Sequence, residues 1–170
     1  VISDSLTNTG SITVTNSTSR TSLLSLQVPS FTNEGAVVVR ATAGGSGYNN
    51  HARLYIIGTG SVTLTNNQTI SVEGRSNSNS SGNHALLLSS SAITNFTIDG
   101  DGTLSLWQKI GTSDSYGILS AGGSNTTLVN GTQHTIEGDG YIGLALSKSS
   151  GSNRFAYNDF TTITNQGLLR

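Results

Sequence analysis

Short strands in which apolar and hydroxyl residues alternate recur along the whole chain, and this recurrence limits the folds available to it. Alternation with a period of two gives each strand one apolar and one polar face. Such strands repeat at intervals of roughly 25 to 40 residues, without helical periodicity, and this predicts a β-solenoid. The central apolar residues of the first set of strands are Ile12, Val37, Ile70, Leu104 and Ile142.

Each repeat contains two further short strands. A second set lies at residues 23–26, 53–57, 85–88, 117–120 and 154–157, and a third set lies at residues 62–64, 92–94, 126–129 and 161–164. The segments between the first and second sets are polar and variable in length, as at residues 40–50, 74–83 and 108–116. We therefore predict an all-β, right-handed parallel β-helix of about five coils, with three strands and one variable polar loop per coil. It comprises residues 1–170, as a single domain or as a segment of a longer β-helix.

The composition argues against several classes of partner. Only 10% of the residues are charged and the net charge is −1, so the chain has no long-range attraction for nucleic acid or for an anionic membrane. Its apolar runs are short, as at residues 54–57, whereas a helix that spans a membrane needs about twenty apolar residues. The sequence contains no cysteine, so strand pairing rather than disulfides must hold the fold. We expect neither nucleic-acid binding nor membrane insertion.

Asparagine and glycine recur in phrases that precede the strands. The phrases are LTNTGSI from Leu6, FTNEG from Phe31 and ITNQG from Ile163, together with the turn HTIEGDG from His134. They resemble the coil phrases of filamentous-haemagglutinin-type adhesins and of autotransporter passengers. The resemblance implies secretion to the cell surface and a role in adhesion, matrix or fibres, and it supplies no catalytic motif. The corner residues Asn33, Asn66 and Asn165 are expected to form ladders between neighbouring coils.

Two acidic turns are candidates for a calcium site. Asp99 and Asp101 lie in the first turn, and Glu137 and Asp139 lie in the second. The distance in sequence from Asp99 to Glu137 equals the distance from Leu104 to Ile142 in the strands that follow the turns. This equal offset predicts that the two turns stack. Stacking would bring like charges together and favour a cation such as Ca²⁺. Ordinary tight turns without a metal are the alternative interpretation, and no other cofactor is expected.

Aromatic residues near the variable loops are candidates for ligand binding. Trp107, Tyr116 and Tyr48 could stack on the sugars of host or matrix glycans, or they could pack beneath the loops. The separation of His51 and His84 matches one coil, which predicts that their rings stack. They are interpreted as corner residues, with a two-histidine metal site as the alternative.

The distribution of acidic residues argues against catalysis. Polysaccharide-cleaving β-helices use clustered carboxylates, or calcium with a basic residue, whereas nine acidic residues are dispersed over this chain. We therefore predict a protein that is not an enzyme. A carbohydrate-binding module and a polysaccharide lyase or phage-tailspike depolymerase are the alternatives.

The strand edges at the two ends of a β-helix are open to pairing. Ile12 and Val14 near one end, and Leu168 and Leu169 near the other, are the candidate residues for self-association. The expected partner is a second copy in head-to-tail contact, which builds an open polymer, or the rest of a longer passenger chain. The sequence thus predicts a secreted bacterial surface protein, either a fibre subunit or an adhesin segment.

Overall fold

The computed structural model describes residues 5–16, 22–42, 51–74, 84–109, 115–143 and 159–170. Within these ranges the chain forms seventeen β-strands and no helix. Nearly all of the strands pair in parallel with a strand about 25 to 35 residues away, so the described chain is a parallel β-solenoid. The predictions of an all-β fold and of a stacked parallel solenoid are confirmed.

The strands stack in three ladders, each a row of parallel strands in which every member pairs with the next. The first ladder contains β1 (Ser5–Asn8), β4 (Ser30–Asn33), β7 (Gly60–Asn66), β10 (Ile93–Asp99), β13 (Thr127–Asn130) and β16 (Thr162–Asn165). Its register shifts between Ile93 and Asn95, where β10 joins β7. Elsewhere the pairing is regular, with Phe31 beside Leu64 and Leu64 beside Ile98.

The second ladder contains β2 (Ser11–Thr15), β5 (Ala36–Ala41), β8 (Thr69–Gly74), β11 (Thr103–Lys109), β14 (Thr135–Gly138) and β17 (Leu168–Leu169). The third contains β3 (Ser22–Gln27), β6 (Ala52–Ile57), β9 (Ala85–Ser89), β12 (Ser115–Ser120) and β15 (Tyr141–Ile142). An antiparallel contact between Gln108 and Tyr116 joins these two ladders into one eleven-stranded sheet.

The interior of the solenoid is a thin apolar core that follows from the alternation in the strands. Inward residues of all three ladders, among them Phe31, Ile70 and Leu54, have no exposure to solvent. Because each inward residue stacks on its equivalent in the neighbouring strand, the core continues along the described strands. In the third ladder β9 is buried on both faces, and its outward residues Leu86 and Leu88 form a second small cluster with Ile118.

One part of the predicted register is wrong. The offset between the acidic turns would place Ile142 above Leu104, but the strand that pairs with β11 is β14, so Ile136 lies beside Leu104. Ile142 belongs instead to the third ladder, where it lies beside Leu119. The physical reason is that Ile136 continues the inward apolar column, and Leu169 follows it in the next strand of the ladder.

Two further predictions about the coils stay open. The strand predicted at residues 154–157 lies outside the described residues, as do the central parts of the predicted variable loops. The predicted number of coils stays a prediction as well, because several of the connections that would close individual coils are outside the described ranges.

The asparagine-and-glycine phrases have a steric explanation. A side chain on Gly35 would overlap the backbone carbonyl of Gly10, which lies directly beside it in the next turn of the chain. Gly167 is in a comparable position, against the carbonyl oxygens of Gly131 and His134. Glycine is therefore needed where the backbones of stacked turns approach most closely.

A buried asparagine and histidine chain as the candidate functional site

A row of asparagines, buried except for Asn165, runs along the inner edge of the first ladder. Asn8 donates from Nδ2 to Oδ1 of Asn33 at 2.8 Å, and Asn33 donates in the same way to Asn66 at 2.9 Å. Farther along the solenoid, Asn130 donates to Asn165 at 2.8 Å. The prediction that corner asparagines form ladders is confirmed. The side-chain amide of Asn33 donates to one asparagine and accepts from another. Such bonds satisfy buried amide groups, which would destabilise the core if they had no hydrogen-bond partner.

The two parts of this row are joined by a histidine. The two rows lie in different columns of the ladder: Gly100 lies against the backbone of Asn66, whereas Asn130 is in register with Ile98 and, through it, with Leu64. The imidazole of His134 occupies the interval, with Nε2 at 3.2 Å from Nδ2 of Asn66 and Nδ1 at 2.7 Å from Oδ1 of Asn130. The amide nitrogen of Asn66 can only donate, so Nε2 of His134 is the acceptor and Nδ1 carries the proton.

The hydrogen bonds of this chain all run in one direction. Every member from Asn8 to Asn130 donates toward the residue that follows it in the row, and His134 keeps this order. Aligned hydrogen bonds polarise one another, so the row is expected to be stronger than its separate pairs. We call these six residues, Asn8, Asn33, Asn66, His134, Asn130 and Asn165, the polar spine.

Burial makes His134 a weak base. The ring has no exposure to solvent, and this desolvation lowers the pKa of His134 to about 4, although the negative charge of Asp99 opposes the change in part. Protonation would also place an N–H of the ring against the amide donor of Asn66. The neutral imidazole is therefore the form that fits the polar spine.

A second row of rings lies at one edge of the third ladder. His51 stacks on His84 with ring centroids 5.2 Å apart, and His84 stacks on Tyr116 at the same distance. Tyr116 meets the edge of Tyr141 at 4.7 Å. The predicted stacking of the two histidines is confirmed. Nδ1 of His51 accepts the backbone N–H of His84, and Nδ1 of His84 accepts that of Tyr116, so these nitrogens are already used as structural acceptors.

The two acidic turns do not stack. Asp99 ends β10 in the first ladder, whereas Glu137 lies in β14 of the second ladder, beside Ser105. Glu137 accepts from Ser105 at 3.2 Å and from Arg170 at 2.9 Å. The predicted stacking is wrong because the offset between the turns is not the register of the solenoid. No group of three or more His, Cys, Asp or Glu side chains arranged to hold a metal is found in the described ranges.

The other two residues of the acidic turns, Asp101 and Asp139, each follow a glycine whose backbone φ angle is positive. Asp101 follows Gly100, whose φ is 101°, and Asp139 follows Gly138, whose φ is 114°. Oδ1 of Asp139 accepts the backbone N–H of Gln108 at 2.9 Å. These contacts are those of tight turns that pack on the neighbouring strand.

The predicted ligand-binding aromatic residues are not brought together. Trp107 is 43% exposed on the outer face of β11, in register with Glu73. Tyr116 is half-buried and belongs to the ring row on His84. Tyr48 lies outside the described residues.

The residues predicted for self-association divide between the inner and outer faces of the second ladder. Ile12 and Val14 are inward members of β2, and Leu169 stacks on Ile136 in the inward column. Leu168 stacks on Thr135, in the outward column. Leu168 and Leu169 are 46% and 42% exposed, so both are available for contact at this end of the described ladder.

An ion pair marks the outer face of the same ladder. Nε of Arg40 lies 2.7 Å from Oε2 of Glu73, and Nη2 lies 3.2 Å from Oε1. Ser71 also donates to Oε1 of Glu73. The hydrogen bond to Glu73 and the charge of its carboxylate raise the pKa of Arg40 above the ordinary value, against the effect of burial. The side chain of Glu73 is 7% exposed, so this carboxylate depends on its partners.

Comparison with protein-family models, with curated proteins and with solved structures found no match for the chain. Within the described residues, no helix has the length and apolar character that are needed to cross a membrane.

Sequence reasoning missed the polar spine as a continuous chain, although a signal for it is present. Asn33 and Asn66 are 33 residues apart, and Asn130 and Asn165 are 35 residues apart. Asn66 and Asn130 do not share a column, because Asn130 is in register with Ile98 and Leu64, so spacing alone does not connect the two rows. The residue that joins the two rows could not be found from spacing either, because His134 follows the turn after Asn130 and contacts Asn66 from there.

Proposed function

We propose that this chain is a structural rod of a secreted bacterial surface protein, as a fibre subunit or an adhesin segment without catalytic activity. The rod is a right-handed β-helix of about five coils with three strands per coil. One observation carries the proposal: the polar spine runs along the axis of the solenoid and joins five of the six strands of the first ladder, by hydrogen bonds that are buried from Asn8 to Asn130. Such a chain contributes to axial rigidity and offers no reactive group to a substrate.

The same proposal explains how the rod is extended. Ile12 and Val14 in β2, and Leu169 in β17, are inward residues of the second ladder, and a further β-coil can continue their columns. The partner that we propose is a second copy in head-to-tail contact or a further part of a longer passenger chain. Parallel pairing would satisfy the backbone groups of the outermost strands as it does within the ladder.

Electron microscopy of the purified native material, with an intact mass measured in parallel, tests the proposal. Fibres with an axial repeat of about 24 Å, from about five coils spaced at about 4.8 Å, are expected if copies pair end to end. Isolated rods whose mass exceeds the 17.5 kDa of these 170 residues would indicate the passenger arrangement. Compact monomeric particles of 17.5 kDa, without rods or fibres at any concentration, would contradict both arrangements.

A pair of variants locates the contact. Leu169→Lys places a charge in the inward column at the end of the second ladder and is expected to prevent fibre growth. Thr69→Lys places the same charge on the outer face in the middle of that ladder and is expected to leave fibres intact. Equal loss of fibres in both variants would show that the added charge acts elsewhere.

The exposed indole of Trp107 supports a second candidate function, the binding of host or matrix glycans. Trp107 lies on the outer face of β11 in register with Glu73, next to the ion pair with Arg40. An exposed ring beside polar groups can stack on a sugar while the neighbours bind its hydroxyls. A glycan array with the wild-type protein and with Trp107→Ala tests this function: binding that is equal in both variants, or absent from both, would exclude a site at Trp107.

Calcium at the acidic turns of Asp99, Asp101, Glu137 and Asp139 is a further proposed ligand, although these turns lie on different ladders and do not stack. The proposal predicts a rise in the melting temperature when Ca²⁺ is added, because a ligand of the folded state stabilises it. Mg²⁺ serves as the control. An unchanged melting temperature at millimolar Ca²⁺ would remove calcium from the proposed function.

A further inference from the structure

The outer face of the first ladder is an ordered array of hydroxyl groups. Outward residues alternate with buried inward ones along each strand, as the burial patterns of β4 and β7 show. One outward column, in the order of the ladder, contains Ser5, Ser30, Thr63, Thr97, Val129 and Thr164. Five of these six residues carry a hydroxyl group, and the sixth, Val129, has the same branched shape as threonine.

Two parallel columns extend the array on either side. One contains Ser61, Asn95, Thr127 and Thr162, and the other contains Thr7, Thr32, Thr65 and Asp99. Neighbouring strands are spaced at about 4.8 Å, and successive outward residues of one strand at about 6.6 Å. The central column covers six strands, or about 24 Å along the ladder, and each flanking column covers four, so every strand presents at least two outward positions of the array. Asn95, Val129 and Asp99 are the positions of the array without a hydroxyl group.

These side chains are held in place. Threonine is branched at Cβ and has few accessible χ1 rotamers, and each stacks against its equivalent in the neighbouring strand. A surface with few conformations loses little entropy when it binds an ordered partner. The array is preorganised in a way that flexible lysine or glutamate side chains would not be.

Charge separates this face from its neighbour. Among the described outward positions of the first ladder, Asp99 is the one ionisable residue, at the rim of the array. The outer face of the second ladder carries Arg40 with Glu73 and Glu137 with Arg170. Ionic groups bind water strongly and orient it around their charge, which disturbs any other ordered arrangement of the water. A face without charge is therefore suited to an ordered neutral surface.

We propose that the outer face of the first ladder binds ice. Its regular spacing in two directions suits a periodic lattice of water molecules, and each threonine offers a hydroxyl group to hold a water molecule and a methyl group to occupy the space between waters. Many weak, simultaneous contacts replace the single deep pocket of a small-molecule site. This inference is separate from the structural role proposed above and does not depend on it.

The chemistry of the face favours ice over a glycan. Protein sites for sugars commonly place an aromatic ring against the apolar side of the sugar ring, and the described outward columns of the first ladder contain no aromatic residue. Trp107, the exposed indole, is on the second ladder. A regular array without a ring or a cleft matches a lattice better than it matches a single sugar.

Matched double variants test the proposal through inhibition of ice recrystallisation and through thermal hysteresis. Thr63 and Thr97 are in-register neighbours on the first ladder, where Thr63 is exposed and Thr97 is half-buried. Thr69 and Thr103 are in-register neighbours on the second ladder, where Thr69 is exposed and Thr103 is half-buried, so they form a matched control pair. The variant Thr63→Lys with Thr97→Lys is expected to lose activity, with roughly a tenfold or greater rise in the protein concentration required. The variant Thr69→Lys with Thr103→Lys is expected to retain it.

Two controls separate a loss of ice binding from a loss of folding. Circular dichroism and melting temperature establish that both double variants are folded, and a less disruptive pair, Thr63→Val with Thr97→Val, removes the hydroxyl groups alone and is expected to reduce activity. Ice growth unaffected by the wild-type protein would overturn the proposal, as would equal loss in both lysine variants. Binding to crystalline cellulose or chitin that requires Thr63 and Thr97, without any effect on ice, would assign the face to a glycan instead.

Discussion

His134 donates a hydrogen bond from Nδ1 to Oδ1 of Asn130 at 2.7 Å, although the ring is fully buried and reaches this partner from beyond a turn. Through Nε2 the same ring accepts from Asn66, which lies 68 residues earlier in the chain. One imidazole thus closes the gap between two rows of asparagines. The polar spine is continuous only while this ring is neutral, so its stability depends on amide hydrogen bonding and on the protonation of one residue.

Removal of one amide from the polar spine should be costly. In Asn66→Ala the acceptor for Asn33 and the donor to His134 are both lost, and two buried groups keep their desolvation cost without the bond. We expect the free energy of unfolding to fall by about 2 to 4 kcal/mol. The adjacent Asn67 donates to Glu34 at the surface, so Asn67→Ala should cost less than about 1 kcal/mol.

Urea denaturation of the two alanine variants measures this difference. Because the two residues are adjacent and identical in type, differences in strand propensity and in unfolded-state effects largely cancel. Equal destabilisation would show that the buried row contributes no more than a surface hydrogen bond. A double-mutant cycle between Asn66 and His134 should give a coupling of roughly 1 kcal/mol or more.

Acid should weaken the fold through His134. Its pKa is lowered from an ordinary 6.5 to about 4 in the folded chain, so between these values the unfolded chain binds more protons. Stability is therefore full above about pH 6.5 and falls as the pH decreases towards 4, by about 2 kcal/mol between pH 7 and pH 5. Unfolding free energies measured by urea denaturation across this range report the slope.

The variant His134→Gln isolates this contribution. Glutamine does not titrate, so the variant should be less stable at pH 7 and its stability should change less between pH 7 and pH 5. The nearby carboxylate of Asp99 also acts on the ring, so Asp99→Asn should lower the pKa of His134 further and extend the loss of stability to lower pH. An identical pH slope in wild type and His134→Gln would refute the assignment.

The alternating pattern was sufficient to predict most strands because each short run has one apolar face, and only stacking buries such a face. It failed at Ile142, where the repeated acidic turn suggested a register that the core does not use. The choice between Ile136 and Ile142 depends on which residue continues the column over Leu104, and both look alike in sequence.

The polar spine was predictable in its parts but not as a whole. Asparagines at steady intervals indicate a ladder, and the observed Asn8, Asn33 and Asn66 agree with that interpretation. The contact of Asn66 with His134 joins residues 68 positions apart, so it arises from tertiary packing and leaves no local pattern. The hydroxyl face of the first ladder also emerged only after the register was known.

Two glycines in equivalent phrases should respond differently to substitution. A methyl group on Gly35 would overlap the carbonyl of Gly10, whereas one on Gly10 would meet no atom within 4 Å. Gly35→Ala should therefore lower the free energy of unfolding by about 2 kcal/mol or more, through displacement of stacked turns. Gly10→Ala should be neutral or stabilising by about 0.5 kcal/mol. Thermal unfolding of both variants compares them, and a larger loss in Gly10→Ala would contradict the stacking of these turns.

The two ion pairs of the second ladder should contribute unequally. Arg40 binds a carboxylate that is 7% exposed, whereas Arg170 binds Glu137 between side chains that are 63% and 29% exposed. Arg40→Gln removes the closest cation from a buried charge and should cost about 1 to 3 kcal/mol. Arg170→Gln should cost less than about 1 kcal/mol, because solvent screens the pair. Measurements at low and high salt check the cause: added salt should reduce the small effect at Arg170 more, in proportion, than the effect at Arg40. If both variants lost the same stability at each salt concentration, burial of Glu73 would not be what makes the Arg40 pair important.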